Sequence, residues 1–197
     1  MRSKNLIVYI HGQGGSAAEA EHYAPIFADF DVVGFDYRAE NPWDAKVEFA
    51  DFFDTCGAKI IIANSIGAYF AMTALADKNI SRAIFISPVV DMEKIIAAML
   101  IRANVTETEL RERQEIGNLS WKYLSWAREN PIRWHVPTQI LYGENDALTS
   151  RETITAFAEK SGAELTVMAG GEHWFHTPAQ MAFLDGWLKI LRERKFI

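Results

Sequence analysis

A serine at the junction of two apolar runs is the sharpest chemical feature of the sequence. Residues 63–67 read ANSIG and interrupt an otherwise uncharged stretch at 60–76. We predict a strand, a sharp turn and a helix here, with Ser65 at the turn. Ala63 and Gly67 are small enough for the strand and the helix to approach closely. Ser65 is therefore a candidate nucleophile, and the alternative is that it merely caps the helix.

A glycine-rich turn follows the first apolar run, at residues 11–16 with the sequence HGQGGS. Glycines in such a turn let the backbone aim an N–H group at a negative charge. A phosphate-binding loop is the competing interpretation. The spacing argues against it, because neither G-x-x-x-x-G-K-[ST] nor G-x-G-x-x-G is present. Because a candidate nucleophile lies downstream at Ser65, we favour a role in stabilising an oxyanion over a phosphate loop or a plain turn.

Two later loops supply a carboxylate and an imidazole. Residues 143–146 (GEND) and 170–173 (GGEH) each follow a predicted strand. A serine hydroxyl needs a histidine to accept its proton and a carboxylate to orient that histidine. We predict that Asp146 and His173 have these two roles.

Both candidates have rivals. Asp91 follows another predicted strand, and Glu144 lies in the same loop as Asp146, where it could be a surface or helix-dipole carboxylate. His176 competes with His173 from three residues further along. The remaining histidines are expected to be structural or exposed: His11, His22 and His135.

Taken together, these motifs resemble those of the α/β-hydrolase family. Residues 63–67 are similar to its G-x-S-x-G nucleophile elbow, although Ala63 replaces the first glycine. The order serine, acid, histidine along the chain is also that of the family. The resemblance extends from residue 6 through the last predicted helix, and it does not specify residues 91–136.

The resemblance implies a reaction and a set of roles. Ser65 would attack an ester-like carbonyl, assisted by His173 and Asp146, in two-step acyl transfer. The backbone N–H groups of Gln13 and Ile66 would form the oxyanion hole. No metal and no cofactor is expected. A small-molecule carboxylic ester is the first substrate to consider, ahead of thioesters, amides and peptides, and a non-catalytic binding module or an acyltransferase are the alternatives.

Short runs rich in Val and Ile alternate with helix-length segments, which predicts a parallel sheet covered by helices. Most of the runs are continuously apolar, as strands buried on both faces require. The predicted strands are 5–10, 31–36, 59–64, 82–87, 138–142 and 164–168. The predicted helices are 17–29, 43–56, 66–77, 151–160 and 178–194. The expected fold class is α/β, with a mostly parallel central sheet of about six strands flanked by helices.

Residues 91–136 have apolar positions at helical spacing and no strand signal, so we expect a helical lid inserted into one domain spanning 1–197. Its aromatic residues are candidates for an apolar substrate pocket, together with one that follows His173. Core packing at helical spacing is the alternative for them. The four pocket candidates are Trp121, Trp126, Trp134 and Trp174.

Composition limits the remaining function classes. A formal charge of −6 offers no broad positive field for nucleic acid. The single cysteine, Cys56, allows no intrachain disulfide, which favours the cytoplasm. The longest uncharged stretch, 60–76, is shorter than the ~20 residues of a membrane span. We expect a cytoplasmic monomer or homodimer that acts on a small-molecule acyl substrate.

Overall fold

The computed structural model describes residues 5–197, and the N-terminal part of the expected 1–197 domain, residues 1–4, lies outside them. Within the described residues, eight strands and eight α-helices follow one another. The strands are β1 Leu6–Ile10, β2 Asp31–Phe35, β3 Ile60–Asn64, β4 Arg82–Ile86, β5 Glu115–Ile116, β6 Leu119–Ser120, β7 Thr138–Gly143 and β8 Glu164–Met168. The helices are α1 Ala20–Tyr23, α2 Pro42–Cys56, α3 Ser65–Ala74, α4 Met92–Ala103, α5 Glu107–Arg113, α6 Trp121–Glu129, α7 Arg151–Ser161 and α8 Pro178–Glu193.

Six strands form one sheet in the order β2-β1-β3-β4-β7-β8. All neighbouring pairs in this sheet are parallel. Each strand lies within one residue of its predicted bounds. The predicted fold class is confirmed, and the carboxyl ends of all six strands meet at one edge.

Helices cover both faces of the sheet and create two core layers. Successive strand residues point to opposite faces, so Val8 and Ile10 enter one layer while Ile7 and Tyr9 enter the other. The first layer contains side chains of α2, α3, α4, α6 and α7. The second contains side chains of α1 and α8. The apolar strands are thus buried on both sides, as their composition requires.

The predicted helix at 17–29 is much shorter in the structure. A 3-10 turn over Ala17–Glu19 leads into α1, which ends at Tyr23. Pro25 explains the early end, because proline has no N–H to donate and its ring would clash with the carbonyl of Glu21. The other predicted starts are close to the observed ones: Ser150 Oγ accepts a bond from Thr153 N, and α8 begins at Pro178.

Residues 91–136 form α4, α5 and α6, and also a short antiparallel hairpin of β5 and β6. The expectation of no strand in this segment was wrong. The missed signal is the Gly117-Asn118 pair, since a two-residue turn of this type joins hairpin strands and Gly117 has a φ of +59°. The buried apolar residues of the segment join the first core layer, beside α2 and α3.

Across residues 5–197, no helix combines the length and the apolar character that crossing a membrane requires.

Candidate active site

Ser65 lies at the carboxyl end of β3, where the chain turns directly into α3. Its φ of +49° is in the left-handed region that non-glycine residues rarely adopt. Gly67 explains how the turn can be so tight. A Cβ atom at this position would lie 2.2 Å from the carbonyl oxygen of His11, so only glycine lets α3 approach the first glycine turn this closely.

The structure brings Ser65, His173 and Asp146 into one hydrogen-bonded chain. Ser65 Oγ lies 2.8 Å from His173 Nε2, and His173 Nδ1 lies 2.7 Å from Asp146 Oδ2. Because a carboxylate can only accept, Nδ1 carries the proton and Nε2 is the acceptor for the serine hydroxyl. The side chain of His173 is 19% exposed and that of Asp146 is 0% exposed. The imidazole therefore reaches solvent while its carboxylate partner does not.

Asp146 is fixed by the loop that follows β7. Its Oδ1 accepts bonds from the backbone N–H groups of Leu148 and Thr149, at 2.8 and 3.0 Å. Both carboxylate oxygens are thus engaged in hydrogen bonds, which fix the orientation of the side chain. The negative charge also acts on its surroundings: burial, and next the charge of Asp146, raise the pKa of Tyr142.

The loops after β7 and β8 are held against each other. Asn145 N donates to Gly171 O at 2.7 Å, and a Cβ atom on Gly143 would lie 2.4 Å from Glu172 O. Glu144, a rival for the acid role, uses its carboxylate to accept a bond from Gly170 N at 2.9 Å. Glu144 thus fixes the histidine loop and is not the group that contacts the imidazole.

The other rivals lie in different surroundings. Asp91 begins α4, where its Oδ1 accepts a bond from Lys94 N at 3.0 Å. The ring of His176 stacks on Trp174 with centroids 4.5 Å apart, and its Nδ1 is 2.8 Å from Trp174 O. Neither forms a hydrogen bond with Ser65 or His173 in the described part of the chain.

The remaining histidines have contacts of their own. The ring of His11 stacks on Tyr37 with centroids 4.2 Å apart, and Nε2 of His22 is 2.8 Å from Asp185 Oδ1. His135 lies in the loop between α6 and β7.

The expected oxyanion donors lie on the two segments that meet at Gly67. Gln13 is in the exposed glycine turn, and Ile66 is in the first turn of α3, where backbone N–H groups have no partner within the helix. Within residues 5–197, neither N–H donates to a protein acceptor. Each of the two residues therefore has an unused backbone donor.

A cavity of about 680 Å³ opens beside Ser65 and His173. Its apolar wall contains side chains of the second core layer, together with Trp174, which is 71% exposed. The apolar lining residues are Tyr23, Ile86, Trp174, Phe175, Met181 and Leu184.

Of the four tryptophans expected at the pocket, only Trp174 lines this cavity. Trp134 is 2% exposed, donates from its indole to Thr138 Oγ1 at 2.8 Å and packs on Phe85 in the first core layer. Trp121 and Trp126 are partly buried against that same layer. No residue of 91–136 lines the cavity. The expected lid, and the pocket contacts of Trp121, Trp126 and Trp134, stay predictions.

A polar cluster of Asn64, Tyr9 and Glu19 lies beside Ser65 and was not predicted from the sequence. Asn64 Nδ2 donates to the hydroxyl of Tyr9 at 2.9 Å, and that hydroxyl donates to Glu19 Oε2. One signal was available, because Ser16 and Glu19 have the S-x-x-E spacing of a capping box and Ser16 N donates to Glu19 Oε1 at 3.1 Å. The role of Tyr9 could not be predicted, because its position in an apolar strand indicates only that it is buried.

Among the described residues, no group of three or more His, Cys, Asp or Glu side chains is arranged to hold a metal ion.

No protein-family model matches this chain. No curated protein matches it in sequence either. Solved structures do match it over most of its length. An esterase from Pyrococcus furiosus is 20% identical with a TM-score of 0.61, and the match covers 98% of this chain and 81% of that one.

Two further structures are similar. Est1E from Butyrivibrio proteoclasticus is 18% identical with a TM-score of 0.67, covering 100% of this chain and 90% of that one. An alpha-beta serine hydrolase homologue from Coxiella burnetii is 16% identical with a TM-score of 0.63. The match covers 96% of this chain and 85% of that one. At this level of identity the similarity identifies the architecture. The chain has the α/β-hydrolase fold.

Proposed function

We propose that this protein is a serine hydrolase that cleaves a small-molecule carboxylic ester through an acyl-enzyme. The observation that carries the proposal is the unbroken chain from Ser65 Oγ to His173 Nε2 at 2.8 Å and from His173 Nδ1 to Asp146 Oδ2 at 2.7 Å. The names of the similar structures, an esterase and a serine hydrolase homologue, point the same way.

The proposed reaction has two steps. Ser65 Oγ forms a bond to the carbonyl carbon as its proton passes to His173 Nε2, and the carbonyl oxygen becomes an oxyanion. His173 then gives this proton to the departing alkoxide, and the acyl group stays on Ser65. Water repeats the sequence with His173 as the base and releases the acid.

Asp146 and the two free N–H groups lower the barriers of both steps. Asp146 holds the imidazole in the tautomer whose Nε2 can accept a proton, and it stabilises the imidazolium that forms. Gln13 and Ile66 would donate to the oxyanion, and the loss of one such donor typically costs ~10² to 10³ in kcat. No metal or cofactor takes part in the proposed steps.

The cavity supports a substrate with an apolar group next to the ester. A volume of about 680 Å³ and an aromatic wall suit a small acyl or alkoxy group rather than a folded polypeptide. A cytoplasmic location and a monomeric or homodimeric state belong to the same proposal, the former because of the single cysteine.

The test is turnover of p-nitrophenyl acetate and butyrate, with intact mass measured after a fluorophosphonate treatment. We expect turnover and one adduct in the wild type, and neither in Ser65→Ala. Ser87→Ala is the matched control, since Ser87 also follows a strand of the sheet and also has a positive φ, of 44°. The proposal fails if wild type gives neither turnover nor adduct, and a non-catalytic binding module then becomes the function to pursue. It also fails if Ser65→Ala retains full activity.

A further inference from the structure

The Tyr9 hydroxyl connects the two segments that would supply the oxyanion donors. Tyr9 lies in β1 and is fully buried, but its hydroxyl accepts from Asn64 Nδ2 at 2.9 Å and donates to Glu19 Oε2. Asn64 directly precedes Ser65 on the elbow. Glu19 closes the 3-10 turn that follows the glycine turn. One phenol thus bridges segments that are 45 residues or more apart in sequence.

The Glu19 end of this bridge fixes the glycine turn. Its second carboxylate oxygen, Oε1, accepts from the backbone N–H of Ser16 at 3.1 Å. A Cβ atom on Gly15 would lie 2.6 Å from that same oxygen, so the carboxylate packs directly under the turn. The turn has one internal backbone bond, from Gly15 N to Gly12 O at 3.1 Å, and at its start Tyr37 donates to His11 O at 2.8 Å. Glu19 is therefore the side-chain restraint on the end of the turn that follows Gln13.

The Asn64 end of the bridge is enclosed. Tyr23 stacks on Tyr9 with ring centroids 4.9 Å apart, and both side chains are buried. Burial, and next the neighbouring Tyr23, raise the pKa of Tyr9 far above its usual range, so the hydroxyl keeps its proton and remains a donor to Glu19. The Tyr23 side chain also interacts with Asn64 and with Tyr9, while the Oδ1 atom of Asn64 is buried and unbonded. The bond from Asn64 Nδ2 to the Tyr9 hydroxyl is the contact that connects this amide to Glu19.

We propose that Tyr9, Glu19 and Asn64 are positioning residues that set the glycine turn and the elbow at the separation at which Gln13 N and Ile66 N converge on one oxyanion. The inference rests on the proposed function, because it concerns the oxyanion of that reaction. None of the three residues reacts with substrate. Their effect passes through the backbone.

Tyr9→Phe removes both hydrogen bonds of the bridge without changing the ring. Glu19 is then free to leave Ser16, the turn loses its restraint, and the Gln13 N–H is displaced from the oxyanion. We expect kcat for p-nitrophenyl butyrate to fall about 10- to 100-fold with little change in KM, since small displacements of a catalytic group have effects of this order.

A comparison of an ester with its thionoester separates this role from a general structural one. The sulfur of a thionoester is larger and a weaker hydrogen-bond acceptor, so it gains less from an oxyanion hole. We expect the ratio of kcat/KM for the ester over that for the thionoester to fall about 10-fold in Tyr9→Phe. A loss of fold or of triad geometry would lower both rates and leave their ratio unchanged.

Two more variants complete the experiment. Glu19→Gln keeps the shape but can accept only one of the two bonds, and Glu19 is exposed, so this variant will fold. We expect it to lower the same ratio. Tyr69→Phe is the matched control, because Tyr69 is equally buried and its hydroxyl has no partner in the described chain. We expect an unchanged ratio there.

Amide hydrogen exchange of residues 12–16 gives a readout that needs no turnover. We expect faster exchange in Tyr9→Phe and Glu19→Gln, and wild-type exchange in Tyr69→Phe. Faster exchange together with a lower ratio supports the inference, and wild-type values of either one overturn it. If the wild type hydrolyses no ester, the proposed function has failed separately, and exchange alone decides whether these residues hold the turn.

Discussion

Asp146 is the residue whose surroundings distinguish it most clearly from its rivals. Its side chain is fully enclosed, one oxygen is used by two backbone N–H groups and the other contacts His173. Asp91 also accepts a backbone N–H, but it does so as the cap of α4, beside the exposed Lys94. One aspartate is arranged to orient a ring, the other to begin a helix.

We predict that Asp146→Asn lowers kcat by ~10³ to 10⁴. The Leu148 and Thr149 N–H groups would keep the amide oxygen on their side, so the amide NH₂ would face His173 Nδ1 and favour the tautomer that cannot accept the serine proton. Asp91→Asn is the matched control and retains activity, because asparagine also caps helices. Kinetics of both variants with p-nitrophenyl butyrate test this, and the reverse result would assign the acid to Asp91.

At the scale of elements, the site depends on loops that approach one another at the carboxyl edge of the sheet. The elbow reaches the first turn through Gly67, and the acid loop reaches the histidine loop through Gly143. Each approach brings a glycine Cα against a carbonyl oxygen of the neighbouring loop. Methyl groups at these positions would separate the strand ends.

We predict that Gly67→Ala abolishes ester hydrolysis and destabilises the fold, because the new methyl meets the backbone oxygen of His11 at 2.2 Å. Gly186→Ala, in α8, is the matched control: nothing lies within 4 Å of its Cβ position. Alanine there should raise the free energy of unfolding by about 0.5–1 kcal/mol. Urea unfolding and activity measure both effects, and wild-type activity in Gly67→Ala would show that the loops need no such contact.

The elements of the sheet were predictable because each strand carries its own apolar signal in a few consecutive residues. The candidate site was predictable for the same reason, since Ser65, Asp146 and His173 each lie within five residues of the end of such a strand. The hairpin at 115–120 and the early end of α1 were not predicted, although Gly117 and Pro25 favour them, because the apolar residues around these positions have helical spacing.

Contacts between distant segments could not be predicted from periodicity. From its spacing in the sequence, Trp134 could equally be a pocket residue or a core residue. Its contacts with Thr138 and Phe85 in the structure show that it packs in the core. The bridge from Asn64 through Tyr9 to Glu19 likewise depends on which strands are neighbours. A sequence pattern indicates which side of an element is apolar and not what that side contacts.

At the scale of the molecule, one sheet separates two core layers and contributes side chains to both. The helices of 91–136 pack into the first layer with buried residues such as Leu124. We propose that this segment unfolds together with the sheet. A lid that contacted only the surface of the domain would unfold in a separate transition.

We predict that Leu124→Ala in α6 and Leu188→Ala in α8 each lower the stability of a single common transition by about 2–5 kcal/mol, the usual effect of truncating a buried leucine. The two substitutions are matched in chemistry and burial and lie on opposite faces. Urea unfolding followed by tryptophan fluorescence and by circular dichroism should give coincident curves. A separate, earlier transition in Leu124→Ala alone would contradict the shared unfolding.

The apolar wall of the cavity comes from the second core layer and the helices of 91–136 pack into the first, which has a practical consequence for handling the protein. Ile101 on α4 is 81% exposed, and no residue of α4 lines the cavity beside Ser65. A cysteine introduced at this position, with Cys56 replaced, would attach the chain to a solid support through a side chain that is not part of the cavity. The immobilised protein would then present Trp174 and the mouth of the cavity to the surrounding solution.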